Sequence, residues 1–297
     1  MISPLSALLA ALAVLALLFV GLLVRTALAS PRDARTPSGK AAATGLLTAF
    51  FDTLGIGSFA TTTSIFRHGR VVDDADIPGT LNVGIALPTA VQAFIYTRLI
   101  PVDARTLILM IVASVAGAWL GAGIVSRWPR VRIQVGMGTA LIIAAAIMLG
   151  SMMALLPVGG AALALTGTKL VLGVLGNFVL GALMTLGIGL YAPCMILVSL
   201  LGLTPAAAFP IMMGSCAFLM PVASARFLRT GRYDLRAALG LAIGSIPGVL
   251  LAAFIVKSLP LSAVRWLVVV VVLYTAVTLL RAALRERVVA PLAPTPS

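Results

Sequence analysis

The stretch Thr53-Leu54-Gly55-Ile56-Gly57 recurs as Thr185-Leu186-Gly187-Ile188-Gly189, 132 positions later. Each copy sets two glycines one residue apart inside a long apolar run. Glycine weakens a helix, and a break in apolar surroundings leaves backbone groups that only protein or a water-filled cavity can satisfy. The stretch therefore reads as a deliberate break in a membrane helix, made twice. Outward from it the echo continues at a spacing of 131: Asp103 and Arg105 answer Asp234 and Arg236, Ser114 and Gly117 answer Ser245 and Gly248, and Pro129 answers Pro260. Half the chain repeats the other half with one residue of slack.

Composition sets the solvent in which this repeat folds. Of 297 residues 61% are hydrophobic and 10% charged, against an ordinary charged share of about a quarter. That much apolar surface implies a polytopic membrane protein with the lipid bilayer as its partner. The 21 Lys and Arg against 8 Asp and Glu lie between apolar runs, as the positive-inside rule expects, so nucleic acid is not the implied partner. Cys194 and Cys216 sit in apolar stretches without metal-ligand spacing, which supports neither a disulfide framework nor a metal site. No nucleophile set, phosphate loop or cofactor motif is present, so no catalytic residue is assigned and no enzyme is expected.

In chain order, residues 1–40 comprise an apolar helix at 4–24, with no base before it and no small-residue cleavage site after it, then a polar loop at 25–40. Repeat 1 covers 41–156: a broken element at 41–66, a charged loop from Arg67 and His68 to Asp76, and spans at 79–99, 104–126 and 133–156. Repeat 2 covers 157–281: a broken element at 169–201 and spans near 205–225, 236–256 and 263–281. A basic, Pro-rich tail fills 282–297. If both broken elements are re-entrant, 16 of the 21 bases fall inside and 5 outside; if both span, the division is 14 to 7. The re-entrant arrangement is favoured, with the C-terminus cytoplasmic. Each repeat then carries a hairpin and three spans, an odd number, so the copies are inverted with respect to one another, the plan of secondary transporters.

A half-helix that starts in mid-membrane presents free N–H groups and the positive end of its dipole, which attract anions. Gly55, Gly57, Ser58, Thr61 and Thr62 in the first copy, with Gly187, Gly189, Tyr191 and Cys194 in the second, are the substrate-binding set expected on this basis. The competing reading is that the glycines serve helix packing and the hydroxyls bond their own backbone. Asp52 precedes the first break, where the second copy has Met184; it is the expected proton or coupling-ion carrier, or else a cap on the break. Asn82, Gln92, Asn177 and Ser215 read as interhelical glue.

The run Gly45-Leu46-Leu47-Thr48-Ala49-Phe50-Phe51-Asp52-Thr53-Leu54-Gly55-Ile56-Gly57 and its echo from Gly176 to Gly189 resemble the sulfite exporter TauE/SafE family, with the repeat plan extending the resemblance over 41–281. Where family members continue with further glycines and a nearby proline, this chain has Ser58-Phe59 and Leu190-Tyr191, with Pro193 only in the second copy. The resemblance implies secondary transport of small sulfur-containing anions such as sulfite or organosulfonates across a cell inner membrane. A non-transporting scaffold on the same fold is the rival expectation. A homo-oligomer is compatible with the sequence but not fixed by it.

Overall fold

The computed structural model describes the chain apart from residues 1–2, 74, 126–130, 132–134, 137, 140–141, 144, 147–148, 151–152, 154–159, 185–189, 259 and 290–297. The described residues are mostly helical, with no strand among them. Helix α1 is Pro4–Ala29, α2 Arg32–Arg35, α3 Gly39–Thr53, α4 Phe59–Gly69, α5 Ile77–Leu99 and α6 Ala104–Val125. After the described helical residues between 131 and 150 come α7 Gly167–Met184, α8 Tyr191–Leu200, a short 3-10 turn at Pro205–Ala207, α9 Ala208–Thr230, α10 Leu235–Ser258 and α11 Leu261–Val289.

Among the described residues four helical segments are long and apolar enough to cross a membrane: Pro4–Ala29, Gly167–Met184, Pro205–Thr230 and Leu235–Ile255. The outward faces of the bundle's helices are apolar. Leu17 is 70% exposed, Trp119 82% and Phe254 79%, while Thr80, Thr89, Gln92, Asn177 and Ser215 are buried. That inside-out distribution suits lipid and not water, and the chain is a membrane protein. Helix α5 is 23 residues long and is the polar exception, with Thr80, Thr89, Gln92 and Thr97 on its buried face.

Two parallel helix pairs dominate the packing, α3 with α10 and α6 with α7. Glycines make both possible. A Cβ at Gly240, Gly244 or Gly248 would run into the carbonyl of Ser38, Ala42 or Leu46, so the two backbones touch at a constant offset along the small-x-x-x-small ladder of α10. In the other pair a Cβ at Gly117 would overlap the carbonyl of Phe178, and one at Gly181 that of Ser114. Helices α5 and α9 cross between these pairs.

Hydrogen bonds tie each end of the bundle. At one end Ser38 N–H donates to Arg236 O (2.9 Å) and Asp234 N–H to Thr80 Oγ1 (2.8 Å), so α3, α5 and α10 all begin there. At the other, Asp103 N–H donates to Leu163 O (2.8 Å), Leu165 N–H to Thr106 Oγ1 (3.0 Å) and Thr204 N–H to Ala162 O (2.9 Å), where α6 and α7 begin and α8 has ended. The 23 residues of α5, roughly 35 Å at helical rise, separate the two ends.

Three boundaries differ from expectation, one of them the last: α11 runs through Val289, eight residues into the stretch read as tail. Helix α1 continues through Arg25 to Ala29, because nothing between 25 and 29 stops it until Ser30-Pro31. Arg67 and His68 belong to the last turn of α4, not to the loop; bases suit the negative end of the helix dipole. The loop begins at Arg70, which takes the left-handed conformation (φ 47°).

Candidate functional site

Helix α3 stops at Thr53, and the next five residues turn the chain back. Gly55 (φ 98°) and Gly57 (φ 82°) are left-handed, a conformation that costs other residues roughly 1–2 kcal/mol. Gly55 N–H bonds Asp52 O (2.8 Å) and Ile56 N–H bonds Phe51 O (3.1 Å), closing the end of α3. Helix α4 then doubles back: Thr62 Oγ1 donates to Thr48 Oγ1 at 3.1 Å. In a continuous helix those residues, fourteen apart, would stand about 21 Å apart.

Asp52 is the pivot of this turn. Its Oδ1 accepts the N–H of Ser58 (2.6 Å), the residue that caps the start of α4. Its Oδ2 accepts from Gln92 Nε2 on α5 (2.9 Å) and, at 3.5 Å, lies within reach of the Tyr191 hydroxyl on α8. Gln92 Nε2 also donates to Thr53 Oγ1 (2.8 Å), and its Oε1 accepts from Tyr191 OH (3.2 Å). Tyr96 OH donates to Thr53 O (3.1 Å) while its ring stacks on Phe209. Both protons of the Gln92 amide are thus used, and the network binds the first broken element to the first turn of α8 beyond the second.

Beside it lies a cavity of about 70 Å³, well above the ~10–15 Å³ that one water needs. Asp52, Gly57, Ser58, Thr89, Tyr191 and Thr275 supply its polar lining; Ile56, Phe59, Ile85, Met184, Leu190, Ala192, Cys216 and Met220 supply the rest. Among the described residues no lysine, arginine or histidine lines it. Ser58 Oγ is buried with no hydrogen-bond partner among the described residues. A Cβ on Gly57 would meet nothing within 4 Å.

Of the expected site residues, Asp52, Gly57, Ser58 and Tyr191 come together around this cavity. Gly55 does not line it; its Cα faces Met195 and Met212. Thr61 Oγ1 bonds Ser58 O (2.9 Å) and Thr62 bonds Thr48, so both hydroxyls hold the hairpin instead of facing the cavity. Cys194 is fully buried in the core and absent from the lining. Gly187 and Gly189 lie outside the described residues. Asn177 Nδ2 bridges Met110 O (2.7 Å) and Ser215 Oγ (3.1 Å) as interhelical glue. Gln92, read from the sequence as glue too, is instead a direct partner of Asp52. The missed signal was register: Thr89, Gln92 and Tyr96 stand three and four apart on one face of α5.

Among the described residues no cluster of His, Cys, Asp and Glu could hold a metal ion. No curated protein and no solved structure matches the chain. A family model does in part: residues 169–296 match the model of the family described as Sulfite exporter TauE/SafE.

Proposed function

We propose that the protein is a secondary transporter of small anions, sulfur-containing oxyanions among them, with its substrate site in the cavity between the two broken elements. One observation carries this reading: a cavity at the start of α4, where the first break contributes Gly57, Ser58 and Asp52 and the second broken element contributes Tyr191. The family match supports the transport class, and the free N–H groups of α4 with the unpartnered Ser58 hydroxyl support an anion.

The repeats are inverted and the broken elements re-entrant in this reading. Three observations support it. Helix α3 begins at one end of the bundle and its sequence counterpart α7 at the other. The close contact of Gly117 with Phe178 has its counterpart, under the same offsets, in that of Gly248 with Leu46. The fold-back of α4 on α3 returns the chain to the end where α5 starts. The end with Lys40, Arg67, Arg70, Arg226, Arg229, Arg232 and Arg236 faces the cytoplasm, and α11 brings the C-terminus there.

Tracer flux into proteoliposomes tests the function, with sulfite, sulfate, thiosulfate and a short sulfonate as probes. Saturable flux of at least one anion, lost in Gly57→Val, is expected; none above protein-free vesicles would leave a scaffold as the better account. Single cysteines at positions 69 and 230 should both react with an impermeant reagent from the cytoplasmic side. Labelling of position 69 from outside would refute the re-entrant arrangement.

A further inference from the structure

We propose that the site accepts an anion only together with one proton held on the Asp52 carboxyl, so that a monovalent anion crosses without net charge. The inference rests on the transport reading above and adds its stoichiometry.

The seat that α4 offers an anion is already taken by the Asp52 carboxyl. Asp52 Oδ1 takes the Ser58 N–H at 2.6 Å, and Gln92 Nε2 supports Oδ2 at 2.9 Å. A substrate anion in the same cavity of about 70 Å³ would stand within a few ångströms of that carboxylate. Asp52 is buried and most of the cavity's lining is apolar, so water screens the two charges poorly. Two anions confined in this way do not both stay ionised; such a pair holds a proton.

A basic side chain could replace the proton, but among the described residues none lines the cavity. Facing Asp52 from α8 is Tyr191 and from α9 Cys216, with Tyr96 of α5 behind Thr53. These are neutral acids that can donate a hydrogen bond but bring no positive charge. Helix α10, packed along α3, has its bases Arg236 and Lys257 at its ends. Lys40 lies twelve residues back along α3, Arg67 nine residues beyond Ser58, and the exposed Arg98 and Arg281 six residues beyond Gln92 and Thr275, roughly 18, 13 and 9 Å by helical rise. The undescribed residues 185–189 contain no ionisable side chain. Charge balance therefore falls to a proton, and Asp52 is the acid positioned to take it. It enters with the anion from one face and leaves with it to the other. Asp52 then returns to its hydrogen bonds with Ser58 and Gln92, and no proton is gained or lost over the cycle.

Two measurements decide this, both with methanesulfonate, an anion that stays ionised at ordinary pH, so that any proton carried is the protein's. In proteoliposomes with the voltage clamped by potassium and valinomycin, a gradient of one pH unit should accumulate the wild-type substrate about tenfold. An imposed potential at equal pH should accumulate none. Asp52→Asn, which keeps the size and much of the hydrogen bonding, should reverse the pattern: flux driven by voltage and indifferent to pH. In detergent, binding to the wild type should take up one proton per anion from a weakly buffered indicator solution, and binding to Asp52→Asn none. Voltage-driven wild-type flux, or binding without proton uptake, overturns the stoichiometry and leaves the transport reading standing. Absence of both flux and binding for methanesulfonate and sulfite overturns both.

Discussion

The two broken elements are copies of one sequence, yet the first carries Asp52 where the second carries Met184, and both side chains reach the same cavity. The first element satisfies its turn from within: its own carboxylate closes on Ser58 and draws in Gln92. The second contributes Tyr191 to that arrangement and a thioether in place of the acid; Met184 Sδ lies 3.6 Å from Cys216 Sγ. The two copies thus share a packing scheme and divide the chemistry. The acid belongs to one copy alone.

That division can be broken most forcefully on the shared side. Gly244→Val should cost several kcal/mol, because its side chain would have to enter the carbonyl of Ala42, and overpacking against backbone exceeds the usual ~1–3 kcal/mol. Gly117→Val should be equally severe in the counterpart pair. Loss of monodisperse protein, or a large fall in Tm for both, is the expected result; well-folded variants would mean that the close approaches are not needed. Asp52→Ala should come next, at about 1–3 kcal/mol, since it strips the buried Ser58 N–H and the Gln92 amide of a partner. Asp52→Asn should recover much of that, and Met184→Leu should change stability by less than about 1.5 kcal/mol. Equal Tm losses in Asp52→Ala and Met184→Leu would erase the asymmetry. The smallest effect belongs to Tyr191→Phe, about 1 kcal/mol, because one hydroxyl leaves Gln92 Oε1 without its donor. A thermal shift series on the three positions ranks them.

The fold was legible in the sequence to the extent that it was written twice. Gly55 and Gly57 marked the break and the structure has both left-handed; the offset of 131 residues between Gly117 and Gly248 foreshadowed two equivalent helix contacts. Asp103 and Asp234, paired by the repeat, each cap a helix, accepting the N–H of Thr106 (2.9 Å) and of Ala237 (2.7 Å). The site was less legible. Hydroxyls near a break look alike in sequence, but Thr61 and Thr62 turn to the hairpin while Ser58 faces the cavity, and only the helical phase after residue 58 separates them. Gln92 lies 40 residues from Asp52, so no local pattern could join them. The end of α1 was misjudged because an arginine near a membrane surface resembles a loop signal, although the helix needed a breaker to stop it.

The reciprocal pairing of α3 with α10 and α6 with α7 has a consequence for how the molecule could be divided. Each pair takes one helix from each half of the sequence, so a half expressed alone would hold two glycine-faced helices whose partners are on the other polypeptide. Residues 1–156 and 157–297 made as separate chains should therefore be unstable singly and recover by finding one another. A half that did persist alone would have to pair head to tail with its own twin, which is the arrangement a single unduplicated gene would have required.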